Sequence, residues 1–284
     1  MNMKLICGDC LDVLQGFDKE IIDLVVTSPP YDNLRKYKGY SFDFERIALE
    51  LSRVLKPGGV IVWVVNDQTL NGCESLTSFK QAIFFVEQTG LNLYDTMIWH
   101  KQPQPMNHRR YEQHFEYMFV FSKGKPKTFN GIKEPSTYAG TVKRFTHHLD
   151  CANESTSKTK KAIEFFNKKC KAMIVNNLKL KGNIWYIPVG GSHSTKDRIG
   201  FQHPAIFPEK LAHDHIISWS NKGDLILDPF MGSGTTGLVA KQLEREFIGI
   251  EISPEYFEIA QQRIENAQPP AQQSLWSECN ADLR

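Results

Sequence analysis

Apolar residues fall along this chain in two alternating rhythms. Short β-branched runs recur between stretches whose apolar positions have helical spacing. Leu5-Ile6-Cys7 is the first run, closing at Gly8-Asp9, and Cys10 to Phe17 follows as a helix. Ile21 to Thr27 is a buried-strand pattern bounded by Ser28-Pro29-Pro30. Asp32 to Phe44 is polar and aromatic, contains Gly39, and predicts a mobile loop. From Phe44 to Leu55 the residues Ile47, Leu49, Leu51, Val54 and Leu55 mark a helix, and Lys56-Pro57-Gly58-Gly59 stops it. Val60 to Val65 predicts another central strand, and Phe79 to Thr89 a helix ended by Gly90. Thr96 to Trp99 and Tyr117 to Phe121 read as paired strands, joined through a basic loop from Lys101 to Arg110.

The alternation breaks after Ser122. Residues 123 to about 200 are basic, polar and irregular, apart from a helical stretch near Lys160 to Val175 and a short strand from Trp185 to Pro188. The rhythm then returns. Phe207 to Trp219 predicts a helix, and Leu225-Ile226-Leu227 a strand running into Asp228. Gly237 to Leu243 continues a helix, Phe247 to Glu251 is a strand, and Pro254 to Ala267 a final helix. The tail from Gln268 predicts a frayed end. Strands alternating with helices imply an α/β fold whose mostly parallel sheet is covered on both faces. No internal repeat is visible.

Composition adds little to this picture until charge is mapped along the chain. At 284 residues with 41% apolar content, the chain suits one large domain, or one domain carrying an insertion. No apolar run approaches the roughly 18 residues needed to cross a bilayer. The start, Met1 to Asp9, lacks the apolar stretch of a secretory signal. Six cysteines in a chain this long do not make a disulfide scaffold. The expectation is a cytoplasmic protein with no membrane partner. Cys7 and Cys10 form a lone Cys-x-x-Cys, open to a redox or zinc reading; without a second pair, two small residues at a strand end is the better one, and no metal is expected. The formal charge of +2 hides an asymmetry. From Lys123 to Gly182 there are 14 Lys and Arg against 4 Asp and Glu, a net of +10, which leaves 20 against 28 elsewhere, a net of −8. A basic segment on an acidic body is the footprint of a polyanion partner, or else a solvated lysine-rich surface.

Two segments carry chemistry. Thr27-Ser28-Pro29-Pro30-Tyr31 closes the second strand. Asp228-Pro229-Phe230-Met231-Gly232-Ser233-Gly234-Thr235-Thr236 closes a strand near the other end and opens a helix. Strand, glycine turn and helix N-terminus together make a nucleotide-type site. No Gly-Lys-Ser/Thr follows, so the turn is not a Walker loop, and the full Gly-x-Gly-x-x-Gly of nicotinamide enzymes is absent. Glu251 ends the next strand, 17 residues beyond Gly234, where a carboxylate can accept from ribose hydroxyls. In this order, catalytic segment first and glycine turn last, the pair resembles the motifs of the permuted (β-type) DNA amino-methyltransferases, which use S-adenosylmethionine. The resemblance covers about residues 3–122 and 183–266; the insertion carries no family signature.

The resemblance implies a Rossmann-like class I methyltransferase fold, circularly permuted so that the chain begins and ends within the cofactor half. Residues 1–122 would form the catalytic half, 123–200 a target-recognition insertion, 201–267 the cofactor half and 268–284 a tail. The cofactor residues implied are Asp9 and Cys10 beside the adenine, Phe207 and Lys210 in the helix-opening segment, the Asp228 to Thr236 turn apart from Met231, and Glu251 with Ile252. Asp228 suits a cationic ligand end, Phe230 could pack on the ligand, and Asp9 is also a natural cap for the helix after it.

Ser28, Pro29, Pro30 and Tyr31 are the catalytic candidates. An exocyclic amine is planar because its lone pair is delocalised into the ring. Acceptors that take its N–H hydrogens, Ser28 Oγ and the Pro29 carbonyl, favour localising that pair. Two prolines fix φ and preorganise the acceptors. Tyr31 offers a ring for stacking on a flipped base. Methylation at cytosine carbon 5 would need a cysteine following a proline, and no cysteine here does. In the family Ser-Pro-Pro-Tyr goes mostly with cytosine N4 and Asp-Pro-Pro-Tyr with adenine N6, so cytosine N4 is expected, with adenine N6 as the close alternative. A protein-glutamine or RNA N-methyltransferase is a more distant alternative, disfavoured by the motif order, and a catalytically dead DNA-binding module is further still. The expected partner is double-stranded DNA, with room for a cognate restriction endonuclease encoded nearby. Candidate DNA contacts are Lys36 after the catalytic motif, Arg109 and Arg110 in the basic loop, and Lys143, Arg144, His147, Lys196 and Arg198 in the insertion, each balanced by the plainer reading of an exposed surface residue.

Overall fold

The computed structural model describes residues 2–30, 42–102, 111–140, 142–143, 173–174, 176–190, 194–195, 197 and 207–267. Two compact units emerge. Met1–Asn130 joins with Asn183–Arg284 to form one, and Gly131–Gly182 is the other.

In the larger unit, eight strands of the described residues form one sheet. In chain order they are β1 (Met3–Cys7), β2 (Ile22–Thr27), β3 (Leu55–Val65), β6 (Asn92–His100), β7 (Phe115–Ser122), β12 (Ile184–Tyr186), β13 (Leu225–Asp228) and β14 (Glu246–Glu251). A two-stranded hairpin, β4 (Thr69–Leu70) and β5 (Cys73–Glu74), follows β3. Across the sheet the order is β1-β14-β13-β2-β3-β7-β6-β12. Every neighbouring pair is parallel except the two made by β7, which runs against both β3 and β6. The first strand of the chain pairs with the last, Met3 opposite Phe247 through Cys7 opposite Glu251. The chain therefore starts and finishes in the same half of the sheet, as a permuted Rossmann-like methyltransferase fold requires.

Helices α1 (Cys10–Gln15), α2 (Phe44–Val54) and α3 (Thr77–Thr89) share one core with the sheet. Leu14, Ile47, Leu51, Val54 and Phe85 pack there with Val25, Ile61, Trp63, Phe121 and Leu227. By strand alternation Leu24, Val26, Val62, Val64 and Ile226 point the other way, and they are equally buried. Both faces are thus covered, which is why these strands read as continuous apolar runs. Helices α4 (Glu209–Trp219), α5 (Thr235–Gln242) and α6 (Pro254–Asn266) pack in sequence, α4 on α5 and α5 on α6.

Several boundaries move from their sequence expectation. The helix after Asp43 stops at Val54, but the chain then enters β3 at once rather than at Val60. In the smaller unit β8 (Lys133–Pro135) pairs antiparallel with β11 (Leu178–Leu180). There β9 (Val142–Lys143) pairs with β10 (Met173–Ile174). Met173 and Ile174 are therefore strand residues, where a helix was expected. The rest of the Lys160 to Val175 stretch lies outside the described residues, as do most of the Asp32 to Phe44 segment and the tail from Gln268.

Candidate active site

Parallel pairing of β2 with β13 brings the two motif-bearing segments together. Leu24 stands opposite Ile226 and Val25 opposite Leu227, so both strands point their carboxyl ends the same way. At that edge the Thr27 hydroxyl donates to Asp228 Oδ1 at 2.6 Å, a buried bond between residues 201 positions apart in the chain. Ser28-Pro29-Pro30 leaves β2 immediately beyond this bond, with Pro29 buried and Ser28 and Pro30 half-buried. The turn from Pro229 leaves β13 beside it. Ligands of open α/β sheets bind outside such carboxyl ends.

The turn is held from several sides. Asp228 Oδ1 also accepts the Phe230 N–H at 3.1 Å, closing the turn on itself. The Gly232 N–H donates to Glu251 Oε2 at 2.8 Å, and the Ser253 N–H to Glu251 Oε1 at 2.9 Å. The Ile252 N–H also donates to this carboxylate, so three backbone donors orient it, and of its roughly four acceptor positions one is left for a ligand hydroxyl. Gly234 has φ of 79°, and a Cβ there would stand 2.9 Å from Ala260 Cβ, so only glycine both turns the chain and lets α6 approach. Thr236 Oγ1 donates to the Val26 carbonyl at 3.4 Å, a second tie back to β2. Pro229 is buried, and the Phe230 ring packs on Phe42 and Trp63.

The first strand completes this edge. Gly8 N–H donates to the Glu251 carbonyl at 2.9 Å, which sets Asp9 next to Glu251 and Ile252. Asp9 caps α1 by accepting the Leu11 N–H at 2.8 Å. Burial pushes the Cys10 thiol up to about 12, so at neutral pH it is a protonated, apolar-like wall residue. Burial also raises the Asp228 carboxyl to about 6, against the lowering effect of its hydrogen bonds from Thr27, Thr236 and Phe230. Glu251 is raised as well, again chiefly by burial. Two buried carboxylates at one edge suit a ligand that brings positive charge and hydroxyls.

Other expected residues sit less simply. Lys210 in α4 pairs with buried Asp214 one turn on, at 2.5 Å, so any ligand contact competes with that bond. Phe207 is half-buried and its ring meets Trp99 at 6.5 Å between centroids. Lys143 lies in β9 of the smaller unit. Tyr31, Lys36, Arg109, Arg110, Arg144, His147, Lys196 and Arg198 lie outside the described residues.

Two residues that sequence reading left aside prove central to the geometry. Thr27 opened the catalytic segment as the last residue of its strand, with no role of its own. Arg263 was read only as part of the final helix, yet its guanidinium is wholly buried against the glycine turn. Its signal was an arginine among the apolar-face positions Ile259, Ala260 and Ile264 of α6, where a charge has no reason to be unless it is paired.

A family model described as DNA methylase, of the N6/N4 methyltransferases, matches residues 22–262. The orphan methyltransferase M.BamHII of Bacillus amyloliquefaciens is 49% identical over 267 residues, covering 93% of this chain and 92% of that one. Among solved structures, the PvuII DNA methyltransferase (cytosine-N4-specific) superposes with a TM-score of 0.66 at 23% identity, over 93% of this chain and 86% of that chain, a likeness of fold. The M1.HpyAVI structure in complex with S-adenosylmethionine gives a TM-score of 0.59 at 26% identity, over 92% of this chain and 98% of that chain.

Proposed function

The chain belongs to the N6/N4 DNA methylase family and uses S-adenosylmethionine, and on that premise we propose that its product is N4-methylcytosine in duplex DNA. The observation that carries this reading is the pairing of β2 with β13, sealed by the Thr27–Asp228 hydrogen bond, which sets Ser28-Pro29-Pro30 beside the glycine turn. Cytosine is favoured over adenine by the resemblance of Ser28 to Tyr31 to the form of the motif associated with cytosine N4.

The edge fits the cofactor. Glu251, oriented by backbone donors, can accept a ribose hydroxyl, and the raised carboxyls of Glu251 and Asp228 would be eased by a cationic ligand nearby. Asp9, at the cap of α1 just beyond β1, is the residue for the adenine, and Phe230 and Cys10 supply apolar walls. When bound, S-adenosylmethionine supplies an electrophilic methyl group. Ser28 Oγ and the Pro29 carbonyl accept the two N–H hydrogens of the target amine and hold its lone pair toward that methyl. Tyr31 stacks on the flipped base, offsetting a flipping cost of a few kcal/mol. A new N–C bond forms, the old S–C bond breaks, and the nitrogen then releases a proton to water. Because the proton leaves only after nitrogen carries positive charge, no strong base is required.

Lys143, Arg144, His147, Lys196, Arg198, Lys36, Arg109 and Arg110 are proposed DNA contacts, and the basic segment a target-recognition region. The relative at 49% identity is an orphan methyltransferase, which favours a stand-alone modifier over one paired with a cognate restriction endonuclease. The test is base-resolved mass spectrometry of plasmid DNA methylated by the purified protein. N4-methylcytosine is expected; N6-methyladenine as the sole product would defeat the cytosine assignment while leaving the family intact.

A further inference from the structure

Arg263 touches none of the reacting groups, yet its side chain makes six hydrogen bonds at and around the glycine turn. Its guanidinium lies fully buried on α6. Nη1 donates to the Ser233 carbonyl at 2.6 Å, to Ser233 Oγ at 3.0 Å and to Thr235 Oγ1 at 3.2 Å, all within the turn or the first position of α5. The other nitrogens face a different segment. Nε donates to Asp197 Oδ2 at 3.0 Å, and Nη2 to Glu209 Oε1 at 3.3 Å and Thr195 Oγ1 at 3.5 Å. Thr195 in turn hydrogen-bonds Glu209 and accepts the Asp197 N–H at 3.0 Å. One planar group therefore faces the cofactor turn on one side and the Thr195–Asp197 strap with the start of α4 on the other.

A guanidinium is rigid and always charged, with donors in a fixed fork. It cannot serve both segments unless they hold one relative position. Displacing the strap leaves a buried charge short of the Asp197 carboxylate, with Glu209 of α4 as its remaining anionic partner, and displacing the turn leaves it short of its neutral acceptors. Either movement penalises the other. The strap also brackets Lys196 and precedes Arg198, two of the proposed DNA contacts.

We propose that Arg263 is a positioning residue that shapes the cofactor turn and couples cofactor binding to DNA binding through the strap. The coupling half rests on the reading of the strap as a DNA-facing segment. Linkage makes it reciprocal: DNA tightens the cofactor by the same factor as the cofactor tightens DNA.

The test uses the full chain, S-adenosylhomocysteine as an unreactive probe, and a plasmid that the wild type methylates. The dissociation constant of the probe is measured with and without plasmid. Wild type is expected to bind the probe about tenfold more tightly when plasmid is present. Asp197→Asn keeps every contact of Arg263 with the turn, so probe affinity alone should change by less than about twofold while the plasmid-induced gain falls below about threefold. Arg263→Gln should weaken the probe by itself about tenfold or more, with partial recovery in Arg263→Lys, which keeps charge but loses the fork. Wild-type probe affinity in Arg263→Gln overturns the shaping role, and an undiminished plasmid effect in Asp197→Asn overturns the coupling. If Arg263→Gln fails to fold, Asp197→Asn and Thr195→Ala decide the coupling and Arg263→Lys the shaping. Failure of the underlying reading looks different: wild type would then transfer no methyl to the plasmid at all.

Discussion

The two tips that meet at the carboxyl edge of the sheet are stiffened by opposite means. After β2, two consecutive prolines restrict the backbone covalently, and the tip needs few partners to hold its shape. After β13, glycines make the backbone permissive, and shape comes from outside: Glu251 from β14, Thr27 from β2 and Arg263 from α6. The comparison teaches where damage should appear. A change at the proline tip should touch the chemistry and little else. A change at the glycine tip, or in any of its distant supports, should reach cofactor binding and stability together.

Predictions follow that division, from the strongest effect downward. Ser28→Ala removes one acceptor from the target amine, and single-turnover methyl transfer should slow by about a hundredfold to a thousandfold. Affinity for S-adenosylhomocysteine should stay unchanged; an equal loss in both would erase the distinction between the tips. Asp228→Asn acts through pH. The folded carboxyl stands at about 6 against 3.8 when free, so between those values the folded protein keeps a proton that the unfolded chain has released. That contribution to stability is present below the free value and is lost as pH rises through about 6. Urea unfolding should show the variant gaining on wild type by up to about 3 kcal/mol from pH 4 to pH 7, whereas a pH-independent difference would mean that Asp228 titrates normally.

Gly234→Ala should destabilise by about 1–3 kcal/mol, because alanine at φ of 79° is strained and its Cβ meets Ala260 at 2.9 Å. Calorimetry should find the cofactor analogue weakened in the same variant, unlike in Ser28→Ala. Thr27→Val is expected to have the smallest effect, about 1 kcal/mol in urea unfolding, since Asp228 Oδ1 retains the Phe230 N–H. No change there would leave the seal between the tips to the strand pairing and the Thr236–Val26 bond.

Local patterning was enough to read most of the sheet. Short apolar runs announced β2, β3, β7, β13 and β14, and the glycine turn and Ser28-Pro29-Pro30 stood out because their chemistry is written in adjacent residues. Such features depend on what neighbours in sequence do to backbone freedom, so they survive in a linear text. The order of the two motifs carried the permutation, and the pairing of β1 with β14 follows from it. What folding alone decided was which distant groups would share a buried site. Thr27 and Asp228 are 201 positions apart, and Arg263 lies 66 from Asp197 and 30 from Ser233. A hydroxyl, a carboxylate and a guanidinium have the same spelling on a surface as in a core. Only the loss of water around them turns these three into the frame that holds the cofactor turn, and that loss is a property of the packed structure.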